Sequence, residues 1–147
     1  MARCLRSGFF LLLLLLVGSL LFAQSNEMID SILMEEVATL GSAAYVALSA
    51  AELINDETAP RLAVDMAVEA GWLAEGSVAE TPATFGQLAY LLMGALDVKG
   101  GLMYRIFPGP RYAAREFVYK GWSPERRGPN DPISGQFLIR VTGNFLE

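Results

Sequence analysis

RLAVDMAVEAGWLAEGSVAETP (Arg61–Pro82) returns fifty residues later as RYAAREFVYKGWSPERRGPNDP (Arg111–Pro132). Seven of these 22 positions coincide: Arg61/Arg111, Ala63/Ala113, Val68/Val118, Gly71/Gly121, Trp72/Trp122, Glu75/Glu125 and Pro82/Pro132. After a one-residue deletion, Gly86–Leu96 set against Gly135–Phe145 adds Gly86/Gly135, Gln87/Gln136 and Gly94/Gly143. Self-similarity at this period marks stacked supersecondary units that bury a shared core, an architecture used more for binding than for catalysis.

Inside each copy the apolar residues fall at helical spacing, and no strand alternation of any length occurs. The pattern predicts leading helices over 60–70 and 111–120, each stopped by a glycine, Gly71 or Gly121, in the left-handed conformation. Thr84 with Gln87 three residues on is a capping-box pattern, predicting a helix over 85–96, and a last helix is predicted over 134–146. Upstream, Met28, Ile29, Ile32 and Leu33 predict an amphipathic helix over 27–36, and Ser42–Ile54 a buried one. The stretch 98–110, with Gly100, Gly101, Pro108, Gly109 and Pro110, reads as a linker in which Gly100-Gly101 permits a tight turn. No Lys-Ser/Thr follows that pair, so it is not a phosphate loop.

Ahead of the repeats, Arg3 and Arg6 precede an apolar run from Phe9 to Phe22 that gives way to Gln24-Ser25-Asn26. This reads as a signal peptide over 1–23, leaving 24–147 as a single compact domain; retention as an uncleaved anchor is the alternative. Residues 24–147 contain neither cysteine nor histidine, which removes disulfides, thiolate metal sites and histidine acid–base chemistry. No metal site and no cofactor is expected. Charge is uneven: 24–98 carries twelve acids and Arg61 alone as a base, whereas 99–147 carries eight bases and four acids. The two halves are expected to neutralise each other internally, or else the basic part faces an anionic partner.

Three segments open the trailing helices with related residues: Thr39-Leu40-Gly41-Ser42-Ala43-Ala44-Tyr45, Thr84-Phe85-Gly86-Gln87-Leu88-Ala89-Tyr90 and Ser134-Gly135-Gln136-Phe137-Leu138-Ile139. Helix, glycine stop, proline-bearing loop and Thr-capped second helix together resemble the S-layer homology repeat family. The resemblance implies an all-α fold of tandem helix–loop–helix units, about 27–54, 60–96 and 110–146, the first abbreviated. In that family a leading helix opens on an aromatic-Ala pair, matched here by Tyr112-Ala113 and more loosely by Leu62-Ala63. Its second helix opens on an Ile-Thr-Arg-Ala-Glu-like motif whose Arg helps hold an anionic cell-wall polysaccharide. This chain has Thr39, Thr84 and Ser134 at the Thr position, but Leu40, Phe85 and a deletion at the Arg position. Ser42, Gln87 and Gln136 stand at the acidic one. The implied fold carries over; the family's glycan contact does not.

The expected function is that of a non-catalytic, exported interaction or scaffold module, periplasmic or otherwise associated with the bacterial cell envelope. Its partner would be an envelope protein or an anionic cell-wall polymer. A glycan-binding anchor with replaced contacts is the alternative, and a small envelope enzyme the third reading. The candidate binding residues are Arg111, Arg115, Trp122, Arg126 and Arg127. Arg111 and Arg115 are four apart on one helix face, and Arg126 and Arg127 lie in the loop leaving that helix, where guanidinium groups grip carboxylate or phosphate with two teeth. Trp122, like Trp72, either packs back on the helix it follows or stacks on a ligand. Arg and aromatic residues interleave from Tyr104 to Arg127 in the manner of a nucleic-acid surface, but export and the acidic total exclude that partner; the aromatics are expected to face the core. Membrane contact is expected only through an uncleaved leader. The acid pairs Glu35/Glu36 and Asp56/Glu57 are poor candidates for glycosidase carboxylates, because neighbours on a helix diverge by about 100°.

Overall fold

A computed structural model describes residues 27–147; the expected leader over 1–23 lies outside the described residues. The fold is all-α. Helix α1 covers 27–33, followed by α2 (Leu40–Ala50), α3 (Pro60–Glu69), α4 (Phe85–Ala95), α5 (Leu102–Ile106), α6 (Pro110–Lys120) and α7 (Gly135–Leu146). Among the described residues extended pairing is confined to two isolated bridges, Thr39 with Pro82 and Thr84 with Pro132.

These bridges belong to a closed cycle of backbone bonds. The residue before each trailing-helix cap, Ala38, Ala83 or Ile133, is buried. Ala83 N–H donates to Ala38 C=O (2.8 Å), Ile133 N–H to Ala83 C=O (3.3 Å) and Ala38 N–H to Ile133 C=O (2.7 Å). Three buried peptide groups thus satisfy one another, as buried backbone must, and alanine at two positions lets the three chains converge. One step outward, the first amides of α2, α4 and α7 also find carbonyls in other segments. Leu40 N–H donates to Thr81 (2.7 Å), Phe85 N–H to Asp131 (3.0 Å) and Gly135 N–H to Glu35 (2.9 Å). Helix starts leave such donors without intrahelical partners, and here each is filled by the loop of a different segment.

The predicted caps are present. Thr39, Thr84 and Ser134 accept from the amides of Ser42, Gln87 and Phe137, and Thr84 with Gln87 forms a full capping box. In α2 the third helical position holds Ser42, too short to reach back to the cap. Glu35 does so instead: its Oε2 accepts from Thr39 N–H (3.0 Å) and its Oε1 from Ser42 Oγ (2.6 Å). This displaces the predicted end of α1. The helix stops at 33 rather than 36, and Glu35, outside it, holds α2 by its carboxylate and α7 by its carbonyl.

Gly71 and Gly121 stop α3 and α6 with φ +77°. Each closes a double bond pair, Trp72 N–H to Ala67 C=O (2.9 Å) with Gly71 N–H to Val68 C=O (3.0 Å), and likewise Trp122 to Phe117 (3.0 Å) with Gly121 to Val118 (3.4 Å). Helix α2 departs from the expected 42–54: it runs from Leu40 to Ala50 and stops with the same two bonds around Glu52, at φ 56°. Asp97, at φ 50°, ends α4 in the same way. The linker 98–110 contains α5.

In the core, α2 packs on α3, α4 and α7, and α4 on α6. Phe85 sits edge-on to both Phe117 (6.3 Å) and Phe137 (5.8 Å), all three buried. Each such phenyl contributes about 1.5–3 kcal/mol through burial. Although first in sequence, α1 crosses the start of α7, where a β-carbon on Gly135 would overlap the Ile32 carbonyl oxygen.

Candidate functional site

Helix α6 turns Ala113, Ala114 and Phe117 inward and leaves Arg111, Arg115 and Tyr119 exposed. After Gly121 the chain folds back. Trp122 packs on Phe117 (5.2 Å between rings) and Phe145 (4.7 Å), and Asn144 Nδ2 donates to its carbonyl (3.3 Å). The returning loop then runs alongside α6, leaving a groove of about 610 Å³ with Ala114, Arg115, Val118 and Tyr119 on the helix side and Arg126–Pro129 on the loop side. That volume lies within the range of small-ligand sites.

The loop is held by its own polar groups. Arg127 Nε and Nη2 both donate to Glu125 Oε1 (2.9 and 2.8 Å), and Nη1 donates to the Pro132 carbonyl (3.0 Å). Its guanidinium carbon lies 4.3 Å from the Phe137 ring centroid. Gly128 N–H donates to Asp131 Oδ2 (2.7 Å), closing the turn. Arg127 is therefore a fixed wall of the groove. Arg115 and Arg126 are exposed and form no ion pair among the described residues.

Of the five candidates, Arg115, Arg126 and Arg127 come together around this groove. Arg111 stands one turn earlier on the same helix, outside the lining, and Trp122 is placed in the aromatic cluster behind the loop. Tyr119 was missed. It is 87 % exposed, and its offset of four from Arg115 and two from buried Phe117 is the signal that puts it on the outer face. The expectation that the aromatics of 104–122 face the core needs correcting accordingly: Tyr104 and Phe117 are buried, whereas Phe107 and Tyr119 are exposed. The expected neutralisation between halves is also corrected. Among the described residues the one ion pair within 4 Å joins Arg127 to Glu125, inside the basic part.

Elsewhere, the Glu35 carboxylate is engaged by Thr39 and Ser42, and Glu36, Asp56 and Glu57 are exposed. Among the described residues no group of three or more His, Cys, Asp or Glu side chains is placed to hold a metal ion, and no helix is long and apolar enough to cross a membrane. Burial, with a smaller contribution from Tyr90, pushes the Tyr104 phenol up to about 12. Comparison of the chain with protein-family models, curated proteins and solved structures gives no match.

Proposed function

We propose that the chain is a non-catalytic interaction module of the bacterial cell envelope, exported by its leader, that holds an anionic partner in the groove between α6 and the 123–132 loop. One observation carries this reading. The aligned segment of the preceding unit builds the same helix, glycine stop and returning loop with Asp65, Glu69, Gly76 and Ser77 where the groove has Arg115, Tyr119, Arg126 and Arg127. The frame therefore does not require Arg115 and Arg126, and whereas Arg127 braces the loop, folding gives no reason for gathering the other two beside it.

The S-layer-homology-like reading of the three units belongs to the same proposal. It is supported by the cyclic bonding of Ala38, Ala83 and Ile133 and by the three matching caps. An exposed tyrosine beside two exposed arginines also suits a charged sugar polymer, offering a ring face for stacking and guanidinium donors for carboxylate or phosphate. That favours a cell-wall polymer over an acidic protein as the anionic partner.

The test is capture of purified anionic cell-wall polymer by wild type and by Arg115→Glu/Arg126→Glu. Among the described residues neither side chain forms a hydrogen bond or ion pair, so the thermal melt should stay within about 2 °C, since exposed side chains away from such contacts contribute little. Capture should fall at least about tenfold and weaken with rising salt, as exposed charge contacts do. Undiminished capture by the double variant would remove the groove from the proposal. Arg127 is a poor probe, because replacing it breaks the loop's own bonds.

A further inference from the structure

Between α4 and α6 the chain runs through fourteen residues, 96–109, whereas α2 and α3 are joined by nine, 51–59. The longer connection contains α5. Tyr104 anchors that helix: its ring is buried, edge-on to Tyr90 at 6.2 Å, and packed against Gly100. Four other large apolar side chains of α5 and its end are exposed. Leu102 is 69 % exposed, Met103 56 %, Ile106 54 % and Phe107 59 %. Offsets of one and four put Leu102, Met103 and Ile106 on one side of the helix, and Phe107, at its non-helical end, stacks on Tyr112 at 6.2 Å between rings.

Leu102, Met103 and Ile106 are not exposed as a by-product of core packing, since the α5 side chain that is buried is Tyr104. Its surroundings are net basic, although the Glu116 carboxylate lies beside Gly101 at the start of α5. Lys99, Arg105, Arg111, Arg115 and Lys120 are all exposed, with Asp97 and Glu116 the acids in the same stretch. None of the five cations has an ion-pair partner among the described residues. An apolar turn ringed by long basic side chains matches the layered chemistry of an anionic bilayer surface, with phosphate outside and acyl chain beneath. Residues 27–98 carry twelve acids against Arg61, so an anionic surface favours orientations that turn most of this acidic part away from it.

We infer that α5 is a membrane-surface contact: Leu102, Met103, Ile106 and Phe107 enter the headgroup layer of an anionic bilayer while Lys99, Arg105, Arg111 and Arg115 meet lipid phosphates. This surface is separate from the leader; it shares Arg115 with the groove but none of the groove's loop residues, and its test variants leave Arg115 unchanged.

The test uses the full chain with Cys4→Ala and a single cysteine, Leu102→Cys or Ile106→Cys, carrying an environment-sensitive fluorophore. Leu62→Cys, on the acidic part and similarly exposed, is the control. Vesicles are phosphatidylglycerol with phosphatidylcholine, or phosphatidylcholine alone. The leader can tether the chain to either vesicle, but only immersion of α5 shifts the label to the blue. The expected result is a blue shift at 102 and 106 with the anionic vesicles, reversed by half-molar salt and absent at 62. Lys99→Gln/Arg105→Gln should raise the lipid concentration at half-shift by about thirtyfold, from the loss of two surface cations. Any of four results overturns the inference: no shift at 102 or 106 while the chain sediments with the vesicles; equal shifts with both vesicle types; an equal shift at 62; or a shift without lipid that grows with protein concentration, which would seat a second copy on α5.

Discussion

Gly135 and Gly121 are both glycine for reasons of space, but of different kinds. At Gly135 a β-carbon would overlap the Ile32 carbonyl oxygen, so α1 or α7 must move. We expect Gly135→Ala to cost at least about 2 kcal/mol in urea denaturation, within the range for overpacked sites. Gly121 has nothing within 4 Å of its would-be β-carbon, and its constraint is φ +77° alone. Gly121→Val should therefore cost only about 1–2 kcal/mol, the strain of a left-handed L-residue. Tyr104 supplies a pH test. Its phenol is raised in the folded chain from 10.0 to about 12, so the folded state holds the proton more tightly than the unfolded one. The associated stability is present below pH 10 and is lost as pH rises from 10 to 12, by roughly 3 kcal/mol at most. A tyrosinate absorbance titration should show a late component near pH 12 that Tyr104→Phe removes.

At the scale of elements, the ends of the helices divide into those a sequence discloses and those it hides. Gly71, Gly121 and the Thr84–Gln87 box carry their conformation in their residue type, and all three are where the pattern puts them. Glu52 and Asp97 take the same left-handed stop without a glycine, because Leu53 and Val98 amides are drawn back to Leu48 and Met93 carbonyls (both 2.9 Å). Residue identity gives no hint of that, and the expected α2 accordingly ran four residues too far. The cap of α2 is hidden for another reason: its acceptor, Glu35, lies before the helix rather than at its third position. We expect Glu35→Ala to cost about 1–2 kcal/mol, typical of a lost cap with a half-buried amide left unpaired, and Gln87→Ala in α4 to cost no more. Within the groove, Arg115 and Arg126 were legible from spacing. Tyr119 was obscured by the habit of assigning aromatics to cores, and Arg127's commitment to Glu125 and Pro132 depends on the path of a loop that no periodicity describes.

For the whole molecule, the bonding cycle through Ala38, Ala83 and Ile133 predicts that the three units do not unfold separately. Each amide in the cycle is freed only when a neighbouring unit leaves, so native-state hydrogen exchange should give these three residues one opening free energy, equal to that of global unfolding. Slower exchange at one of them than at the others, by more than about tenfold after correction for intrinsic rates, would show independent units. The cycle also dictates an order of events. Ala38 needs the carbonyl of Ile133, and Glu35 needs the amide of Gly135, so the first unit's partners are synthesised about a hundred residues after it. A chain emerging from a ribosome or a secretion pore amino-terminus first keeps its opening segment without a mate until residue 135 has followed it out. The same bonds that lock the finished domain thereby postpone its completion until the third unit has emerged.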